Sequence, residues 1–385
     1  MLIHELLDFH AGSRRDSIMA KFGEQTTTYA EAKQRSVRLA SALVHLGIRK
    51  GDRVSVLMEN SIDNLIVFYA ILRCGAVAVP LNCRLVPQEC LNLIIDSDSV
   101  ALIVDERFRT TFEDIALPEF ITLVAGGKAA DKCVSLEAII DAASEEAAFD
   151  TISTDDIAFQ MYTSGTTGRP KGALMSHGGI LSSVVQSIFS SAHKISPGEN
   201  SLLTLPLFHI AAIYTVISVI SSGGTIIIHR KVDPLEIVRS LIEDDIVSVG
   251  IVPSVIQFIL TQVPDIENMR FPSLKLLTYG TSPIAVPVLE RAMEVFKCSF
   301  SQGFGMTELS GVATVLTEAD HMRALNGQTE LLLSIGKALP VTEIRIVDPD
   351  DNTLPPGEVG EIVVRAPQVM KGYWKMPEAT AEALR

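Results

Sequence analysis

The chain has 385 residues, a formal net charge of −14 and 47% hydrophobic residues, with a mean hydropathy of +0.31. That length exceeds one ordinary domain and predicts two or three subdomains around sizeable cores. The acidic balance, with no basic face, excludes nucleic acid as the expected partner and means that any anionic ligand is held by local donors.

Five cysteines (Cys74, Cys83, Cys90, Cys133, Cys298) form no C-x-x-C pair. This usage predicts reduced thiols and a cytoplasmic location rather than a disulfide framework or a zinc site. The start, "MLIHELLDFH", lacks the basic leader of a secretory signal.

Short apolar strands then alternate with helices. "TYAEAKQRSVRLASALVHLGI" predicts a helix with Thr28 and Glu31 as a capping-box pair and a stop at Gly47. "DRVSVLM" reads as a strand, "IDNLIVFYAILRCG" as a helix closed by Gly75, and "AVAVPLN" as a buried strand, with "ALIVD" following one more helix. Such alternation predicts a mainly parallel sheet with helices on its faces.

The run "LLTLPLFHIAAIYTVISVI" is apolar enough to suggest a membrane span, but Pro206 and His209 break it and Ser221 to Gly224 end it. It predicts a buried strand, a turn and a core helix, with no transmembrane segment. "IVSVGIVP", "PSVIQFILTQV", "LKLLTYG" and "VPVLERAMEVF" repeat the strand–helix alternation and predict a second parallel sheet. From about Ile335, "TEIRIVD", turn residues and "EIVVR" predict a small antiparallel unit.

The expected organisation is a large domain over 1–334, with α/β subdomains at roughly 1–160 and 161–334, and a small β-barrel-like subdomain over 335–385. The final "MPEATAEALR" reads as the start of a helix without a C-cap, so the chain is expected to be a fragment, or the ordered part, of something longer.

"MYTSGTTGRPKGALMSH", residues 161–177, concentrates glycines, hydroxyls and cations. It fails the P-loop pattern G-x-x-x-x-G-K-[ST], because Gly165 and Gly168 are three apart and Gly172 follows Lys171. "GFGMTE" misses the dinucleotide pattern, since Glu308 stands where the third glycine belongs. A carboxylate there repels a pyrophosphate unless a divalent cation intervenes.

"YTSGTTGRPKGALMSH" resembles the phosphate-binding signature of the adenylate-forming superfamily, in its acyl-CoA synthetase branch. "LPLFHIAA", "YGTSPIA", "QGFGMTE" and "GEIVVRAPQVMKGYW" follow in the family's order. The resemblance covers essentially the whole chain as the family's large N-terminal domain. It implies two mainly parallel layered sheets, a small β subdomain, and an ATP-dependent acid–CoA ligase using Mg2+.

On that resemblance, Thr163, Ser164, Gly165, Thr166, Thr167 and Gly168 hold the β- and γ-phosphates, with Lys171 as the nearby cation. Glu308 is the implied magnesium ligand, with Thr166 beside it, and Thr307 contacts the α-phosphate. Gly280, Thr281, Ser282, Gln302, Gly303 and Phe304 form the adenine slot, and Gly305 and Met306 lead on to Thr307. Phe304 replaces the tyrosine common in relatives, which keeps stacking and loses a phenol.

His209 is implied to line the acyl pocket near the reacting carboxylate, with Ile213, Tyr214, Val255, Phe258, Gly280 and Gly303 around the acid. A fatty or other apolar acid leads this reading. An aryl-acid ligase, an acyl-AMP ligase serving a carrier protein, and a non-catalytic nucleotide-binding protein stand behind it. Trp374 and Tyr373 are expected to anchor the small β unit. The family's C-terminal domain and its lysine lie beyond these residues, so this stretch alone is expected to bind nucleotide and adenylate poorly. Oligomeric state stays open, a homodimer included.

Overall fold

The computed structural model describes residues 1–109, 121–125, 133–144, 148–163, 168–191 and 193–384. Strands β1 (Ile18–Phe22) and β2 (Gln25–Thr28) form a hairpin, followed by β3 (Arg53–Leu57), β4 (Val77–Pro80), β5 (Ser99–Asp105), β6 (Ile121–Ala125) and β7 (Cys133–Ser135). Next come β8 (Ile157–Thr163), β9 (Lys171–Ser176), β10 (Asn200–Leu203), β11 (Thr225–Ile228), β12 (Ile246–Gly250) and β13 (Leu276–Gly280). The last are β14 (Ser299–Met306), β15 (Gly311–Leu316), β16 (Lys337–Ala338), β17 (Glu343–Val347) and β18 (Glu361–Arg365).

Seven strands make one sheet, ordered β7-β6-β5-β3-β4-β8-β9, and nine make the other, ordered β16-β15-β14-β13-β12-β10-β11-β1-β2. Both are parallel through their centres. The seven-stranded sheet turns antiparallel at one end, where β8 pairs with β9, and stays parallel at the other, β6 with β7; the nine-stranded sheet is antiparallel at both ends, where β14 pairs with β15 and β1 with β2. The fold is α/β, as the alternation predicts. Sheet membership crosses residue 160, however. The β1–β2 hairpin joins the nine-stranded sheet through parallel pairing of Ala20 with Ile226, while β9 belongs to the seven-stranded one. A division at 160/161 therefore separates neither sheet.

Local chemistry explains the helices. Thr28 and Glu31 cap the helix Tyr29–His45 reciprocally, so two backbone donors of its first turn are satisfied. Helix Ile62–Arg73 is buried at every position but Asp63, as its mostly apolar surface requires, and its Arg73 is paired with Asp8. One core cluster takes residues from both sheets, among them Ala78 and Phe159 from one and Ala20 and Leu203 from the other. Each large side chain fully buried there contributes about 1.5–3 kcal/mol.

The antiparallel unit after Ile335 is the pair β17–β18. Residues 371–374 do not anchor it. They run along β9 instead: Lys371 N–H donates to the Leu174 carbonyl at 2.8 Å, Leu174 N–H to Gly372 at 2.9 Å, and Trp374 N–H to Gly172 at 2.8 Å. The Arg53 guanidinium stacks 3.5 Å from the centroid of the Trp374 ring. Among the described residues no helix is long and apolar enough to cross a membrane.

Candidate active site

Two hairpins meet at one cleft. The β8–β9 hairpin sets Thr163 opposite Lys171, and the β14–β15 hairpin sets Met306 opposite Gly311. The Thr163 hydroxyl donates to Glu308 Oε1 at 3.4 Å, across 145 residues of chain. Tyr373 donates its hydroxyl to the same oxygen at 2.7 Å, and the Lys171 ammonium lies 5.1 Å from the Tyr373 ring centroid. Burial, with the Glu308 carboxylate beside it, pushes the Tyr373 pKa up, so this phenol stays a donor. The result is a half-buried carboxylate flanked by a cation and two hydroxyls. Ser164, Gly165, Thr166 and Thr167 lie outside the described residues.

The turn that carries Glu308 is sterically determined. A Cβ on Gly305 would sit 1.8 Å from the Gly311 carbonyl oxygen, which only glycine allows. Ser310 adopts a left-handed φ of 51° and Gly311 a φ of 133°. The Glu308 carbonyl accepts from Met370 N–H at 2.8 Å, tying the turn to residues 370–374. Thr307 opens this turn, in the short helix Thr307–Leu309.

Beside the cleft, at the carboxyl ends of the parallel strands, lies a cavity of about 170 Å³, the place where open α/β sheets bind ligands. Helix Ile210–Ser221 roofs it and has two faces. Ile213, Val216, Ile217 and Ile220, at helical spacing, are buried in the core. Ile210, Ala211, Tyr214 and Thr215 line the cavity. Gly280 and Gly303 stand opposite each other on its floor, so close that a Cβ on Gly280 would meet the Gly303 oxygen at 2.3 Å. Burial pushes the Tyr214 phenol up to about 12, and its hydroxyl bonds with Ser187.

Of the residues expected around an acid, Tyr214, Gly280 and Gly303 line this cavity, while His209, Ile213, Val255 and Phe258 do not. Ile213 is core. Val255 packs on the second core cluster. Phe258 is 49% exposed because its helix buries Ile256, Ile259 and Leu260, and that stripe turns position 258 outward. His209 occupies the N-cap of the roofing helix without a side-chain cap bond; burial, then Arg84, lowers its pKa.

The expected adenine-slot residues divide. Gly280, Thr281 and Gly303 join the cavity lining, as do Gly305 and Met306 beyond them, whereas Gln302 and Phe304 alternate onto the face of β14 opposite Ser301 and Gly303. Gln302 is buried, and its Oε1 has no hydrogen-bond partner among the described residues. Ser282 is exposed in the loop after Thr281. Tyr373 is the residue that sequence reasoning missed. The signal was its place in a block matching the family, two residues after Lys371, but no local pattern shows which strand it joins.

Among the described residues no group of three or more His, Cys, Asp or Glu side chains gathers to hold a metal. A single carboxylate with hydroxyl neighbours fits Mg2+ that arrives on a triphosphate, since that ion takes one or two carboxylates and completes its shell with phosphate oxygens and water. It does not fit a zinc site.

Two layered sheets with a carboxylate and an ammonium brought together at their hairpin turns, beside an apolar cavity, have the architecture of a nucleotide-binding ligase domain. The family described as AMP-binding enzyme matches residues 7–374, and the chain belongs to it. It is 35% identical over 366 residues to the feruloyl-CoA synthase of Amycolatopsis sp, covering 95% of this chain and 70% of that protein. It is 32% identical to the indoleacetate–CoA ligase of Aromatoleum aromaticum, covering 100% of this chain and 74% of that one. The inhibitor-bound N-terminal domain of FACL13 from Mycobacterium tuberculosis superposes with a TM-score of 0.89 at 28% identity, covering 100% of this chain and 94% of that one.

Proposed function

We propose that the chain is the adenylating domain of an ATP-dependent carboxylic acid–CoA ligase. The observation that carries this reading is the 3.4 Å approach of Thr163 to Glu308, which puts a hydroxyl-and-cation hairpin opposite a carboxylate next to an apolar cavity. In the first step a carboxylate oxygen of the acid attacks the α-phosphorus of ATP. A new O–P bond forms, the bond to the β-phosphate breaks, and pyrophosphate leaves. In the second step the CoA thiolate attacks the acyl carbon and AMP departs.

Both partners of the first step are anions, so catalysis is alignment and charge neutralisation. Lys171 supplies a fixed positive charge to the phosphate chain, and the Thr163 hydroxyl a donor. Glu308 holds Mg2+, which neutralises phosphate charge when bound. Thr307 contacts the α-phosphate, and the unpartnered Gln302 Oε1 offers an acceptor to the exocyclic amine of adenine. The acid lies in the 170 Å³ cavity, its body against Tyr214 and Ile210 and its carboxylate toward Gly303 and Gly305.

Fatty and other apolar acids fit the Ile210, Leu205 and Val252 part of the lining. Aryl acids come next, supported by the names of the two relatives above. The test is a panel of carboxylic acids with ATP and Mg2+ on the ligase that carries both this domain and the C-terminal one, following pyrophosphate release and then AMP release with and without CoA. Acid-dependent pyrophosphate release, with AMP release accelerated by CoA, is the expected result. Release that is indifferent to the acid contradicts the reading.

A further inference from the structure

The cavity does not end at its first chamber. A second, of about 120 Å³, shares Tyr214, Thr215, Gly250, Thr278 and Ser301 in its walls with the first. Along β13 the walls run from Gly280 in the first chamber to Leu276 in the second, a span of roughly 13 Å at the rise of a strand. An acid whose carboxylate sits by Gly280 therefore sends its far end under the roofing helix, toward the amino ends of the strands.

That far end meets oxygen set among the apolar side chains of Ile188, Ile195, Val219 and Leu276. Ser201, Ser218, Ser222, Ser248, Thr278 and Ser301 line the second chamber. The period of two on β12 and β14 turns Ser248 with Gly250, and Ser301 with Gly303, to the cavity side. Four of the hydroxyls spend their protons on backbone carbonyls: Ser201 on Ser248 at 3.2 Å, Ser222 on Ser218 at 3.2 Å, Thr278 on Val249 at 3.4 Å and Ser301 on Leu316 at 3.3 Å. Lone pairs are what they have left to offer. The hydroxyls of Ser218 and Ser248 have no hydrogen-bond partner among the described residues, so both can turn to donate or to accept.

Three kinds of tail can be weighed against such walls. A plain hydrocarbon end packs on Ile188, Ile195, Val219 and Leu276 in the same wall but strips water from the Ser218 and Ser248 hydroxyls and gives them no partner, which is costly. A second carboxylate faces lone pairs, and the cation in this lining, Lys194, is exposed with its ammonium 5.7 Å from the Phe189 ring centroid. A hydroxyl both donates to a lone pair and accepts from a serine, and so satisfies both kinds of wall group. Resting on the acid-activating reading above, we propose that the acid carries an alcohol or phenol hydroxyl at its far end, held by Ser218, Ser248 and Thr278.

The shared chemistry has two sources, an aliphatic hydroxy acid and a hydroxyaryl acid, and the experiment separates them. Acyl-sulfamoyl-adenosine probes, unreactive mimics of the acyl-adenylate, are titrated calorimetrically against this chain in two matched pairs: decanoyl with ω-hydroxydecanoyl, and cinnamoyl with para-hydroxycinnamoyl. The hydroxylated member is expected to bind about fivefold tighter or better in one pair, the gain of one well-made hydrogen bond, and that pair identifies the carbon body. In a Ser218→Ala, Ser248→Ala double variant the preference disappears, while the unhydroxylated probe keeps its affinity and so reports an intact fold.

Equal binding within both pairs overturns the proposal, as does a preference that survives the double variant or tighter binding of an ω-carboxydecanoyl probe. If no probe binds at all, the acid-activating reading itself fails and the proposal falls with it; probes that bind without discrimination leave that reading standing.

Discussion

The two hairpins that meet in the cleft are built on opposite plans. In β14–β15 the backbone is wedged: Gly305 lies against the Gly311 carbonyl, Ser310 takes a left-handed conformation, and Met370 N–H ties down the Glu308 carbonyl. Beside β9, Gly168 has a φ of 82° and, among the described residues, no heavy atom within 4 Å of where a Cβ would stand. One hairpin fixes a carboxylate in place. The other offers room beside it. A site that must position a charge and also admit and release a phosphate chain needs both properties, and here they belong to different sheets.

Alanine at each glycine exposes the contrast. Gly305→Ala forces the turn apart, with an expected loss of about 3 kcal/mol or more in urea unfolding and loss of nucleotide binding. Gly168→Ala meets no neighbour among the described residues, so the strain of a positive φ sets the expected cost, about 1 kcal/mol. Equal costs at the two positions would erase the distinction drawn between the hairpins.

A second asymmetry is in pH. His177 begins the helix that leaves β9 and accepts from Ile3 N–H at 3.3 Å. Burial, then His4, lowers its pKa to about 4, and burial, then Arg73, lowers that of His4 to about 4. A histidine whose folded pKa lies below its unfolded value of 6.5 favours the folded state in its neutral form. That contribution is complete above pH 6.5 and is lost as pH falls toward 4, by up to about 3 kcal/mol for each group. Urea midpoints measured at pH 7 and pH 4.5 should therefore drop, and His177→Asn should reduce the drop. An unchanged pH dependence in the variant would contradict this origin.

The smallest expected effect is that of Tyr373→Phe. It removes one donor from Glu308 and leaves the ring against Lys171, so Mg2+–ATP affinity should change by about fivefold or less. A loss as large as that from removing the Glu308 charge would make Tyr373 part of the metal site rather than a support for it.

Much of this was legible locally. The Thr28–Glu31 cap, the strand–turn–helix reading of Leu202 to Ile220, and the pairing of 343–347 with 361–365 depend on neighbours in sequence, and the structure has them. The position of Glu308 near Thr163 followed from a family resemblance, not from spacing. What was not legible is long-range pairing. The short β1–β2 hairpin completes a sheet whose other strands begin near residue 200, and Tyr373 reaches the site only because residues 371–374 add to β9. Pocket residues were the weakest inference, because facing a cavity and facing a core look alike in apolar sequence. The stripe Ile256, Ile259, Leu260 does exclude Phe258, and the stripe from Ile213 to Ile220 separates Ile213 from Tyr214.

The central claim is that Glu308, at the tip of the rigid hairpin, holds the cation of a triphosphate gripped by the other hairpin. Calorimetric titration of Mg2+–ATP and of AMP into the wild-type chain and Glu308→Gln tests it directly. Affinity for Mg2+–ATP should fall about a hundredfold, the scale of losing one preorganised electrostatic contact, while AMP, which lacks the outer phosphates, binds nearly as before. Undiminished Mg2+–ATP binding in the variant, or equal losses for both nucleotides, would contradict it.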